Sequence, residues 1–225
     1  MNSLTNEQLL KIANEYGVVL SDSKTIVEFV IENDFLKMKS EELNPIFVDY
    51  ESLIVKFKNQ FKKKGLKKEP LATAIGSKCE TVIDATCGMA KDTCYFISMG
   101  KKVIAYERNP IVVLLLKQNL NIAQRKRRLN IPLTIINGEC EEFGENAVVY
   151  FDPMYEETNK KALPQKNMRI FRSLVGVDDD AMEFAMKLKA SSSRLIIKRP
   201  IKSAPLIERP SFSTKGKSTR YDVYL

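Results

Sequence analysis

A chain of 225 residues, 44% hydrophobic and 28% charged, has the composition of a soluble globular protein with room for one α/β domain and an appendage, but not comfortably for two full enzymatic domains. The absence of histidine excludes Ser-His-Asp and Cys-His hydrolases, HExxH proteases and any imidazole base; the four cysteines, Cys79, Cys87, Cys94 and Cys140, form no CxxC pair, which argues against a metal site and for reduced, packed thiols. The net charge of +8 suits a polyanionic partner and lies wholly outside residues 1–50, which carry 4 Lys/Arg against 9 Asp/Glu.

The opening MNSLTNEQLLKIANEYG carries acids and lacks the apolar centre of a signal peptide. No later stretch approaches the roughly 20 apolar residues of a membrane span, so a cytoplasmic protein is expected. Residues 1–54 mix short apolar runs, at 25–31 and 46–48, with acidic helix-like stretches, and predict a small α+β lobe without a chemical motif. Residues 55–79 form a basic connecting segment. Its first part, VKFKNQFKKKGLKKEP, sets seven lysines around Phe57 and Phe61 with one glycine, Gly65, and reads as a junction rather than a core element. Lys62, Lys63 and Lys64 have two readings, a solvated helix end or a surface that grips phosphates.

From residue 80 short Val/Ile-rich runs alternate with helix-period segments, the signature of βαβ units on a parallel sheet. Strands are expected at 81–85, 102–106, 133–137, 147–151 and 194–198, and helices at 91–99, 110–128, 165–175 and 179–190. Pro110 suits a first helical turn, where its missing N–H has no intrahelical partner. The run from Arg125 to Arg128 closes the long helix, where cations complement the helix dipole by about 0.3–1 kcal/mol each. An apolar–polar alternation at 221–225 after Lys-Gly-Lys predicts a closing antiparallel hairpin within 211–225.

The loop DATCGMAKD at 84–92 follows the first of these strands and opens a helix, the place where open α/β sheets bind ligands. It contains only Gly88, so the GxGxxG cradle for a dinucleotide pyrophosphate is missing, which argues against NAD and FAD. Its carboxylates, Asp84 and Asp92, favour a cationic ligand instead, and S-adenosylmethionine, with a sulfonium and an ammonium, meets that description. Glu107, 19 residues after Gly88, stands where an acid accepts hydrogen bonds from ribose hydroxyls, although a helix N-terminal acid would look the same.

The main catalytic signal is Asp152-Pro153-Met154-Tyr155 after the strand VVYF, a variant of the (Asp/Asn)-Pro-Pro-(Tyr/Phe) motif of amino methyltransferases. A base amine is a poor nucleophile because its lone pair is delocalised into the ring. An enzyme helps by accepting hydrogen bonds from the NH2 and holding the nitrogen in line. Asp152 and the Pro153 carbonyl supply acceptors, and Tyr155 supplies a ring for stacking, a contact worth about 1–3 kcal/mol. Alone, Asp-Pro is also an ordinary turn starter.

Together these residues resemble the RsmJ-type family of small-subunit ribosomal RNA guanine-N2 methyltransferases. The resemblance runs through VIDATCGMAKD (82–92), ERNP (107–110), VVYFDPMY (148–155), MRIFRSLVG (168–176), IIKRP (196–200) and TKG with YDVY (214–224). It implies a class I Rossmann-like α/β fold with a mostly parallel seven-stranded sheet and a small N-terminal lobe, and methylation of a guanine N2 in 16S ribosomal RNA. It also implies cofactor contacts at Lys91, Asp92, Glu107, Arg108, Glu139, Cys140 and Asp152. The chain departs from the family at Lys91, where arginine is common, and at Tyr155, where phenylalanine is common. Spacing and composition leave adenine N6 open as the target, and leave open a catalytically silent RNA-binding assembly factor. Arg169, Arg172, Lys198, Arg199 and Lys202 are expected around the same mouth, as RNA contacts or as solubilising charges.

Overall fold

The computed structural model describes residues 3–18, 20, 28–40, 43–141, 148–154 and 178–225. Helix α1 (Asn6–Glu15) opens on a capping box in which Thr5 and Gln8 each satisfy the other's backbone N–H. Strands β1 (Glu28–Glu32), β2 (Phe35–Ser40) and β3 (Leu43–Ile46) form an antiparallel sheet in the order β1-β2-β3. The β1–β2 turn is Asn33-Asp34, both at positive φ (52° and 71°), the backbone twist that a two-residue hairpin loop requires.

Helix α2 (Tyr50–Lys64) is capped by Asp49 and ends at Gly65. A short 3-10 turn (Leu66–Lys68) and α3 (Pro70–Ile75) lead into β4 (Thr81–Asp84), α4 (Lys91–Ser98), β5 (Lys102–Glu107) and α5 (Pro110–Asn121). The chain continues through β6 (Leu133–Asn137), β7 (Val148–Phe151), α6 (Ala181–Ser191), β8 (Leu195–Pro200), β9 (Phe212–Lys215) and β10 (Thr219–Tyr224). All five expected strands are present within two residues at each end, and the closing hairpin is β9–β10. The helix expected at 165–175 lies outside the described residues.

Strands β4 to β10 form one seven-stranded sheet in the order β6-β5-β4-β7-β8-β10-β9. The pairs β4–β5, β5–β6, β4–β7 and β7–β8 are parallel, and β10 runs antiparallel to both β8 and β9. This is the Rossmann-like α/β fold, and its strand order reverses at β4, with β5 on one side and β7 on the other. Successive residues divide between two cores: Val82, Val148, Tyr150 and Ile196 pack with α2 to α5, while Ile83, Val149, Phe151 and Ile197 pack with α6. Burial of both faces explains why these strands read as continuous apolar runs instead of alternating ones.

Two expectations need correction. Residue 55, placed at the start of a junction, lies inside the continuous helix α2, whose Ile54 and Phe57 are buried against the main core. The lysines are the solvent face of an amphipathic helix, and a tally of charge hid its apolar stripe. The helix expected over 110–128 leaves α geometry at Asn121 and continues as a π turn, Ile122–Lys126. Arg127 pairs with Glu51 at 2.7 Å and stacks on the Phe35 ring, and Lys126 pairs with Asp34. These cations tie the N-terminal strands and α2 to α5, a tertiary role beyond the helix dipole.

Candidate active site

The carboxyl ends of β4, β5 and β7 open into a cavity of about 300 Å³, the lower end of the range for small-ligand sites. The β4–α4 loop forms one wall. Gly88 (φ 51°) and Ala90 (φ 55°) both take left-handed backbone there, and the alanine does so while fully buried. For a residue with a Cβ this conformation costs about 1–2 kcal/mol, so the surrounding core imposes the loop's shape.

Glu107 ends β5 and is 6% exposed. Its carboxylate accepts the Gly88 N–H at 2.9 Å and the Asn109 N–H at 2.8 Å, which clamps the β4–α4 loop to the start of α5. Burial raises its pKa above the ordinary carboxylate range, against those two hydrogen bonds. A carboxylate offers about four acceptor positions, so capacity for hydroxyl donors remains. Asp92, in the first turn of α4, accepts the Tyr150 hydroxyl at 2.5 Å. Asp152 donates its backbone N–H to Thr86 Oγ1 at 2.8 Å, and this contact joins the β7 end to the β4–α4 loop.

Lys198 Nζ lies between the two carboxylates, 2.8 Å from Asp92 and 2.7 Å from Asp152. Burial pushes Asp152 up to about 6, with Lys198 opposing and the Asp92 charge reinforcing. Asp92 is driven up by its own burial but ends below the ordinary range because the Lys198 attraction outweighs it. Lys198, though disfavoured as a cation by burial, is held charged by both.

On the opposite rim Arg108 pairs with Asp178 and Asp180, and lies 3.5 Å from Glu139. Asp178 also accepts the Met154 N–H at 2.7 Å, holding the β7 end beside Arg108.

Of the residues expected here, Gly88, Lys91, Asp92, Glu107, Arg108, Glu139 and Asp152 line the cavity. Asp84, Cys140 and Pro153 do not; all three are buried. Asp84 points away from the ligand space: it accepts the Thr93 hydroxyl at 2.5 Å and the Thr86 N–H at 3.3 Å, and burial pushes it up to about 7. Cys140 sits in the core beneath Glu139, its thiol pushed up to about 12 by burial. Lys198, expected as an RNA contact, instead lines the cavity with its ammonium committed to two carboxylates. Arg199 donates through Nε to the Ala204 carbonyl at 3.0 Å, and Lys62, Lys63 and Lys64 are exposed at the end of α2. Tyr155, Arg169 and Arg172 lie outside the described residues.

Sequence reasoning missed Thr86, Tyr106, Phe151, Asp178, Asp180 and Phe184, all of which line the cavity. The Asp178-Asp179-Asp180 run ahead of α6 was the available signal. It meant nothing until the fold set Arg108 opposite it.

The wall carries six carboxylates, Asp92, Glu107, Glu139, Asp152, Asp178 and Asp180, against Lys91, Arg108 and Lys198. That excess repels phosphate and attracts a cation. The rings of Tyr106, Phe151 and Phe184 add apolar surface for a flat heterocycle. This donor set fits S-adenosylmethionine, with its sulfonium, ammonium, ribose and adenine.

Comparison with known proteins agrees. Residues 11–225 match the family model SAM_MT, described as "Putative SAM-dependent methyltransferase". The protein named Ribosomal RNA small subunit methyltransferase J from Thioalkalivibrio sulfidiphilus is 38% identical, over 71% of this chain and 69% of its own. The protein of the same name from Actinobacillus pleuropneumoniae is 33% identical, over 99% of this chain and 94% of its own. A crystal structure of a SAM-dependent methyltransferase from Neisseria gonorrhoeae shares the fold, with a TM-score of 0.63 at 22% identity over 100% of this chain and 93% of that one.

Proposed function

The chain belongs to the family of S-adenosylmethionine-dependent ribosomal RNA small subunit methyltransferases J, and from that premise we propose that it methylates the exocyclic N2 of a guanine in 16S ribosomal RNA, in the cytoplasm. The observation that carries the reading is Asp152, the acid of the Asp-Pro-Met-Tyr turn, lining one cavity with Asp92 and Glu107. The relatives' names support ribosomal RNA as the polymer; the guanine and its N2 rest on the family resemblance.

S-adenosylmethionine is the cofactor, and when bound it supplies an electrophilic methyl on a good leaving group. In this reading Glu107 receives the ribose hydroxyls, Asp92 answers the ammonium, and Glu139 with Tyr106 borders the adenine. Gly88 and Lys91 complete the wall.

Asp152, which lines the cavity, accepts a hydrogen bond from the target NH2; the Pro153 carbonyl accepts a second only once the bound base reaches past the cavity wall to it. Tyr155 stacks on the guanine. These contacts draw electron density back onto nitrogen and fix its direction of attack, so no strong base is required. Methylation leaves one proton too many on that nitrogen. A carboxyl near 6, as at Asp152, takes that proton and releases it to water at neutral pH.

The test is methylation of unmodified small-subunit RNA and of subunits by the full chain, followed by identification of the modified nucleoside by mass spectrometry. N2-methylguanosine is expected. Asp152→Ala should cut the rate by about 10²–10³ with RNA affinity retained, as for one missing positioning acceptor. N6-methyladenosine as the product would overturn the choice of base, and an unimpaired Asp152→Ala would remove that residue from the chemistry.

A further inference from the structure

Lys198 reaches the cavity from β8 and meets two carboxylates that arrive on different elements, Asp92 on the first turn of α4 and Asp152 at the end of β7. Each uses the same kind of atom: Oδ2 of Asp92 lies 2.8 Å from Nζ, and Oδ2 of Asp152 lies 2.7 Å from it. Oδ2 of Asp92 also takes the Tyr150 hydroxyl. Among the described residues Oδ1 of Asp152 accepts no hydrogen bond. One ammonium thus occupies one oxygen of each acid and leaves the other oxygen of Asp152 for a ligand.

The side chains of Lys198, Asp92 and Asp152 are only 26%, 19% and 32% exposed, so their attraction is screened less than that of a surface pair. Two carboxylates this close to one another resist ionising together unless a cation stands between them.

We propose that Lys198 is a positioning residue for methyl transfer: it holds the Asp92 and Asp152 carboxylates on one ammonium, keeping Asp152 ionised with one oxygen available to the target amine. The proposal rests on the reading of Asp152 as the amine's hydrogen-bond acceptor.

The groups that face Asp152 set the direction of its pH dependence. Lys91 and Asp92 come from α4, Lys198 from β8, Asp84 from β4, Tyr150 from β7 itself and Tyr221 from β10. Burial and Asp92 favour the protonated acid, while Lys198 and Lys91 favour the carboxylate. Without the Lys198 charge, burial and Asp92 prevail. Asp152 then binds its proton at neutral pH, ceases to be an ionised acceptor, and regains that state only in more alkaline solution.

The experiment compares wild type, Lys198→Met and Lys198→Arg. Carboxyl 13C NMR on the cofactor-free full chain follows the titration of Asp152, assigned by its loss in Asp152→Asn. In Lys198→Met the midpoint should rise by about 1–3 pH units, the effect of one adjacent opposite charge, and Lys198→Arg should return it close to wild type. The acid limb of kcat/KM against pH should move with it. If Lys198→Met does not fold, Lys198→Gln keeps a donor without the charge and carries the same titration.

An unmoved midpoint beside an inactive Asp152→Ala overturns the proposal for Lys198 alone. Wild-type turnover in Asp152→Ala, which removes the acceptor that asparagine would keep, overturns the reading of Asp152, and with it any part for Lys198 in the reaction, even where the midpoint moves.

Discussion

Asp84 ends β4 at the mouth of the ligand-binding loop, yet its carboxylate is 1% exposed and turned onto Thr93 and Thr86. It shapes the loop from beneath. Its ordinary value is 3.8 and burial lifts it to about 7. Between those values the folded protein holds a proton that the unfolded chain has released, so stability falls as pH rises through this window. One such proton is worth about 1.4 kcal/mol per pH unit. Denaturant unfolding at pH 5 and pH 8 should therefore show wild type losing more stability across the interval than Asp84→Asn; equal losses would clear Asp84 of this role. Asp92, Glu107 and Asp152 were legible in the sequence because each closes or follows a recognisable strand. Lys198 was misread because IIKRP marks a strand but not which acids its lysine meets. Those acids lie 46 and 106 residues away along the chain.

At the scale of elements, α5 is both a wall of the main core and the dock for the N-terminal strands. Asn119 on this helix is fully buried and makes two hydrogen bonds to Leu36 of β2, accepting its N–H and donating to its carbonyl, each at 3.0 Å. Asn119→Leu would match the apolar surroundings but leave both backbone groups of Leu36 without these partners. A buried unsatisfied group costs about 1–3 kcal/mol, so a destabilisation of about 2–4 kcal/mol is expected in urea unfolding. A change within ~0.5 kcal/mol, the scatter of surface substitutions, would contradict that account. Nothing in PIVVLLLKQNLN announces this: an asparagine at that position reads as an exposed helix residue until β2 is laid against it. Arg127 likewise does more than complement a helix dipole: its acids are Asp49, the cap of α2, and Glu51 on its first turn, neither of which is near it in sequence.

For the whole molecule, helix direction decides where the positive charge faces. Ser98 contacts the Ile54 carbonyl, and Tyr95 packs on Phe57 and Phe61, so α2 runs antiparallel to α4 and its Lys62–Lys64 end lies towards the cavity end of the sheet. The Ile201–Ser218 backbone bond brings Lys202 and Lys217 together at that same end, where β8 finishes and β10 starts. Replacing Lys62, Lys63 and Lys64 with glutamate should weaken RNA binding and flatten its dependence on salt, by about 0.7 in the logarithmic slope for each single-strand phosphate that a lysine no longer neutralises. An unchanged slope measured by filter binding or anisotropy would return the run to plain solvation. The sequence by itself determined the α/β class, the strand positions from residue 80, the acids at strand ends and a chemistry without histidine, because these depend on local periodicity and on which residue types are present. Only the tertiary structure decided that Lys198 faces inward, that Asp84 supports the loop instead of lining the cavity, and that α2 and the N-terminal strands share the main core. Those outcomes turn on burial and on partners distant in sequence, and the free energy of a charge or an amide depends on what the folded chain sets within hydrogen-bonding distance of it.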